Sequence, residues 1–192
     1  HNRVSALAED QAGNLWVATG EGLYRVDVAT GRRKHFFAQP DQPQSLRQNN
    51  IHTLLVDHEG VLWAGTHGGG LERFDAATET FTHYRKEANN AASLGNNLVF
   101  HLHEDRSGAL WVATNDGLSR LDRTRERFET FTHDRRNPRS LSHSLIWCVY
   151  EDRAGNLWIG TPGGLNQFHP ATREFTHYSE KDGLPNNNVF GM

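Results

Sequence analysis

The apolar positions of the chain fall into short runs separated by turn residues, and no stretch keeps a 3.6-residue period. One kind of run is apolar on both faces, as in "IHTLLVD" and "LIWCVYED", which predicts a strand covered on both sides. Asp-x-x-Gly follows, a tight turn in which Asp caps its own backbone and Gly takes positive φ. A second strand, "NLWVAT" or "NLWIGT", leads through a glycine-bearing turn to a third, "LYRVD" or "LERFD". The fourth strand alternates aromatic and polar residues, as in "FTHY" at 81–84 and 175–178.

This four-strand unit recurs. Trp16, Trp63, Trp111 and Trp158 are spaced by 47, 48 and 47 residues. Six residues before each stands an acid, Asp10, Asp57, Asp105 and Asp152, and a Gly-Leu pair follows each, beginning at Gly22, Gly70, Gly117 and Gly164. Four-stranded antiparallel units at a period of about 40–50 residues define an all-β chain of β-propeller blades. A meander with two apolar faces cannot bury them alone, so it packs against its neighbours, with the Trp supplying on the order of 150–250 Å² each. The predicted blades are 2–38, 49–86, 97–133 and 144–179, with 187–192 as the first strand of a further blade. The Trp-Asp signature of WD40 blades and the paired glycines of kelch blades are missing.

Composition narrows the function. The 192 residues carry a net charge of −3 with acids and bases interspersed, so nucleic acid is not an expected partner. No apolar run reaches the roughly 20 residues of a membrane span. The single cysteine, Cys148, excludes an intrachain disulfide and leaves the compartment open. The chain begins at His1, which points to processing or excision from a longer chain.

The recurring "V..L.ED..GNLWVAT..GLYRVD..T" resembles the two-component regulator propeller repeat, over nearly the whole chain, and "DGLPNNNVFGM" is similar to that family's entry into another blade. The fourth copy departs, with Gln167 and His169 where earlier copies carry Arg and Asp. The resemblance implies a non-catalytic, periplasmic sensor module of a bacterial two-component or diguanylate cyclase receptor, reading a small molecule or an oligosaccharide. It also implies that the membrane is reached only through a transmembrane helix outside this segment. A propeller enzyme, lyase or glycosidase, and a protein-interaction scaffold are the alternatives. The family's propellers normally have seven blades. The four here predict a piece of a larger propeller or a homodimer completed by blade exchange; a closed four-bladed monomer is the least expected outcome.

In such a fold the functional face gathers the long segments 39–50, 86–97 and 134–144 with the second-to-third turns, the parts that vary between copies. A polar column, Asn2, Asn49, Asn97, Ser144 and Asn187, precedes the inner strands and suits sugar hydroxyls, or else satisfies loop backbone. His67, Asn115 and Asp116 project from the turns and are further ligand candidates, or ordinary turn residues. No cofactor is expected and no metal site. His35, His83 and His177 are spread along outer strands, and His101 and His103 share a strand face without a third ligand. Trp147 and Cys148 are expected in the core, and the four repeated Asp are turn residues, not a catalytic pair.

Overall fold

The computed structural model describes residues 3–191; Asn2 of the polar column and Met192 lie outside them. Four antiparallel sheets of four strands follow one another, each in simple meander order. The first holds β1 (Val4–Glu9), β2 (Asn14–Thr19), β3 (Gly22–Asp27) and β4 (Arg33–Phe36). The second holds β5 (Ile51–Val56), β6 (Leu62–Thr66), β7 (Leu71–Asp75) and β8 (Thr80–Tyr84). The third holds β9 (Val99–Glu104), β10 (Leu110–Thr114), β11 (Gly117–Asp122) and β12 (Arg127–Phe131). The fourth holds β13 (Cys148–Glu151), β14 (Leu157–Thr161), β15 (Gly164–His169) and β16 (Glu174–Tyr178). β13 starts two residues later than its counterparts because Ile146 donates its N–H to Thr114 O and Trp147 donates to Gly160 O.

The chain forms two compact units: residues up to Lys86 with Asn97–Val99, and Glu87–Asn96 with the chain from Phe100 onward. In the first unit Trp16 meets Phe74 of the next sheet edge-on at 4.9 Å, within a buried cluster that includes Ile51 and Phe81. In the second unit Trp111 meets Phe168 at 5.3 Å, again edge-on, above Ile146, Ile159 and Phe175. The same packing therefore joins both pairs of sheets, and edge-on aromatic contact adds about 0.5–1.5 kcal/mol to area burial.

The repeated acid does more than cap its turn. Asp57 Oδ1 accepts from Glu59 N (3.0 Å) and Val61 N (2.8 Å), and its Oδ2 accepts from Trp63 Nε1 at 2.8 Å. Asp10, Asp105 and Asp152 bind the indole N–H of Trp16, Trp111 and Trp158 at 2.8, 2.7 and 2.9 Å. Hydrogen bonds from Trp158 and Asn156 hold the Asp152 carboxyl down to about 2. The turn thus fixes the rotamer of the Trp that joins the sheets.

Glycine is required where the third strand begins. Gly70 has φ 94°, and a Cβ there would meet Tyr84 O at 2.3 Å. The fourth sheet keeps its last hairpin without an Asp: Arg173 N donates to His169 O at 2.7 Å, as Gly31 N does to Asp27 O at 2.8 Å.

In the second and fourth sheets the hairpin between third and fourth strands reaches back to the preceding sheet. Glu79, in left-handed backbone at φ 54°, binds Arg25 at 2.7 Å and also Lys34. Arg173, at φ 61° in the matching hairpin of the fourth sheet, binds Glu129 of the third. The charges are exchanged, and one acid still sits at each seam. Arg25 and Arg120 stack on Trp16 and Trp111, each 5.6 Å from the ring centroid.

Candidate functional site

The long segments expected to vary are one repeated structure. Ser45, Ser93 and Ser140 accept at Oγ from the N–H of Gln39 (2.9 Å), Glu87 (3.0 Å) and Asp134 (2.8 Å). The next residue, Leu46, Leu94 or Leu141, is fully buried. One residue before each Ser, the carbonyls of Gln44, Ala92 and Arg139 accept from Phe81, Phe128 and Phe175 on the outermost strands, each at 2.8 Å. A buried polar side chain in the middle of the third strand holds the far end. Glu72 Oε1 accepts from Arg47 N (3.1 Å), Ser119 Oγ from Gly95 N (3.1 Å), and Asn166 Oδ1 from Ser142 N (2.8 Å). A Ser-Leu pair at 45, 93 and 140 was the visible sign of these loops.

The polar column lies at the inner ends of the loops. Asn49, Asn97, Ser144 and Asn187 accept through their side-chain oxygens from Ala38 N (2.6 Å), Lys86 N (2.8 Å), His133 N (3.1 Å) and Glu180 N (2.8 Å). These oxygens close the loops, and the four side chains are only half-buried. His67, Asn115 and Asp116 are exposed on the second-to-third turns. Asp116 N donates to Thr114 Oγ1 at 3.2 Å, and Asn115 sits beside it.

Sequence reasoning missed Ser5, His52 and Phe100, the second residues of β1, β5 and β9, and the residues at the matching repeat positions, Trp147 and Phe190. β1 and β5 shift register at Ser5 and His52, as a β-bulge does when it re-aims a side chain. In the second unit the corresponding residues are aromatic. Phe100 meets Trp147 at 5.0 Å and Trp147 meets Phe190 at 5.3 Å, making a ladder of three rings. Trp147 is part-exposed, Phe190 is 65% exposed, and Trp147 Nε1 donates to Asn188 Oδ1 at 3.0 Å. Trp147, which precedes β13 and is part-exposed, is therefore not core. Cys148 is buried, and burial pushes its thiol up, which disfavours the nucleophilic thiolate.

Residues 187–191 form no regular strand, yet Val189 N donates to Thr161 O at 3.1 Å, the contact that Ile146 N makes with Thr114 O at 3.0 Å. The segment is seated where an inner strand begins.

In the first unit Arg3, Ser5, Gly20, Glu21, Asn50 and His52 line a cavity of about 430 Å³. His67 N donates to Asn50 O at 2.8 Å, and its ring stands edge-on to His52 at 5.0 Å. Burial lowers the His52 pKa, with help from His67 and Arg3. A larger cavity, about 590 Å³, lies at the outer seam of the second unit. Its charges are committed to structure: Arg173 binds Glu129, and Arg106 N donates to Glu151 at 2.9 Å.

His101 and His103 face the β13 strand. His101 Nδ1 accepts from Val149 N at 3.4 Å, while Nε2 of His103 is buried with no hydrogen-bond partner. Burial lowers both pKa values; Glu151, Asp105 and Glu104 oppose this at His103 without reversing it. No group of three or more His, Cys, Asp or Glu among the described residues could hold a metal ion. Because the folded values lie below about 6.5, the unfolded chain takes up more protons in that window and stability falls as pH drops through it. The loss is at most about 1.4 kcal/mol per pH unit for each imidazole, and less where solvent screens it. Thermal melts at pH 7 and pH 5 are expected to show the second unit weakening, and a His101→Asn/His103→Gln protein to lose that slope. His83, raised by its contact with Glu72, works in the opposite sense. Its contribution is present below about 6.5 and is lost as pH rises through the raised value.

The sheets, their Trp-bearing seams and the stapled loops define a propeller-repeat protein. The two-component regulator propeller is matched at residues 1–21, 45–68, 93–116 and 140–163, and the chain belongs to that family. Three of the four matches begin at the Ser-Leu anchor. No curated protein matches it.

Among solved structures the chain is similar to the extracellular domain of a B. thetaiotaomicron protein described as a hybrid two component system, BT3049. The identity is 27%, the TM-score is 0.85, and the match covers 98% of this chain and 25% of that one. The extracellular domain of BT4673, described as a one component system of the same organism, matches at 27% identity and TM-score 0.75, over 92% of this chain and 25% of that one. Virginiamycin B lyase of Staphylococcus aureus shares the fold alone, at 11% identity and TM-score 0.64, over 92% of this chain and 56% of that one. The chain spans about a quarter of the length of these two extracellular domains. No helix among the described residues is long and apolar enough to cross a membrane.

Proposed function

We propose that this chain is a non-catalytic part of the periplasmic, ligand-reading propeller of a membrane-anchored receptor, and that it reads a ring-bearing small molecule such as an oligosaccharide. The observation that carries the reading is the ladder of Phe100, Trp147 and Phe190, part-exposed rings at inner-strand positions where the scaffold needs none. Aromatic faces accept the apolar faces of flat rings, and nearby amides supply orientation. The likeness to the extracellular domains of a hybrid two component system and a one component system supports placing it outside the cytoplasm. Contact with the ladder then shifts a receptor's geometry and so its kinase or cyclase output.

The test is Trp fluorescence and thermal shift against a panel of oligosaccharides, with product analysis in parallel. Saturable stabilisation without turnover, lost at least tenfold in Trp147→Ala, is the expected result. Turnover would replace the sensor with an enzyme, and silence across the panel would favour a protein-interaction scaffold.

The seat of Val189 supports a further propeller repeat beyond the fourth sheet, supplied by the chain's continuation or by a second copy. Solution mass separates these sources.

A further inference from the structure

The cavity at the head of the first unit has a chemistry unlike that of the aromatic ladder, and it stands independently of the sensor reading. Its walls place Arg3 and the bulged His52 around one space, with the amide of Asn50 beside them. His67 closes on His52 at 5.0 Å. We infer that this cavity is an oxyanion site, in which Arg3 and His52 receive a carboxylate- or sulfate-type group and the anion brings a proton onto His52, with His67 packed edge-on behind it.

The register shift is the first support. A regular inner strand would pair residue 52 across the ladder, but Ile51 pairs with Thr66 and Thr53 with Gly65, so His52 is the extra residue turned into the cavity. Ser5 is the matching extra residue of the first sheet and lines the same space. Its hydroxyl contacts both Ala18 O (3.2 Å) and Ile51 O (2.5 Å), which fixes the two strand heads against each other. The positions are therefore held by backbone, and the histidine is presented from a rigid element.

The charges are the second support. The groups facing His52 are Arg3 ahead of β1, Glu21 on the β2–β3 turn, His67 on the β6–β7 turn and the backbone of Val99. Glu21 is the one carboxylate among the cavity's described lining residues. Two imidazoles and a guanidinium crowd one another, which disfavours a second positive charge until an anion arrives. An oxyanion accepts from Arg3 and His52 and reverses that penalty at His52, so its affinity rises as pH falls.

The probe is sodium sulfate, titrated at constant ionic strength against sodium chloride, with the imidazole resonances of His52 and His67 followed by NMR at pH 5.5 and 7.5. Expected are saturable shifts at pH 5.5 with sulfate and not with chloride, an upward move of the His52 titration in sulfate, and at least tenfold weaker binding in Arg3→Gln. Arg3 is exposed ahead of β1, so that variant leaves the sheets intact; His52→Gln, with its melt checked, is the second arm. Equal response to chloride, non-saturating shifts, or sulfate affinity independent of pH would each overturn the site. Oligosaccharide binding at Trp147 is read separately, so failure of one leaves the other standing.

Discussion

Replacing Asp57 with alanine is expected to lower the stability of the first unit by about 3 kcal/mol, although Asp57 is a turn residue with no role in binding. The carboxylate is 4% exposed and takes three donors at once, two from its own turn and one from the indole of Trp63. Alanine leaves the N–H of a buried Trp without its acceptor, a loss of about 1–3 kcal/mol before the turn bonds are counted. Asn at 57 keeps one acceptor oxygen and sets an amide group opposite the indole N–H, so an intermediate loss is expected. Urea unfolding, with hydrogen exchange to locate the loss, decides it. A wild-type midpoint for the alanine protein would show that the indole bond does not hold the seam.

Leu141→Ala is expected to cost about 3 kcal/mol by cavity formation in the second unit. Leu141 is 0% exposed and belongs to the cluster of Trp111, Ile159 and Phe175, although it sits inside a segment that is otherwise polar. The loss should be accompanied by faster amide exchange over 134–144, because the buried leucine is what turns that segment into a fixed loop. Met at 141 conserves most of the volume and should cost less than about 1.5 kcal/mol. Equal midpoints for the alanine and wild-type proteins would mean that hydrogen bonds alone hold the loop.

The sheets were legible because Trp, Asp and Gly-Leu repeat at a fixed spacing and each has a local reason to do so. The Asp–Trp bond was visible only as a constant separation of six residues, since its geometry exists once the turn has closed. The common shape of the long loops was not legible. Their residue types do vary, but Ser140 and Leu141 and their counterparts hold one shape, and a lone leucine among polar residues carries no periodic signal. The buried column of Glu72, Ser119 and Asn166 was hidden for a related reason: three different side chains perform the same task of accepting one backbone N–H. His52 escaped because a bulge interrupts the two-residue alternation that would have assigned it a face. Trp147 was placed in the core by its apolar neighbours, although it stands ahead of β13 and is part-exposed.

The exchanged charges at the outer seams give the repeats a fixed order. Glu79 is matched to the bases Arg25 and Lys34, whereas Arg173 is matched to the acid Glu129. Swapping the second and fourth repeats by recombination would keep the shared Asp, Trp and Gly-Leu frame in place. It would also set Glu79 against Glu129, and Arg173 against Arg25 and Lys34. Blades that look interchangeable by their apolar frame are therefore addressed to particular neighbours by a few rim side chains. A gene that grew by duplication becomes, through those side chains, a chain whose segments assemble in a single sequence.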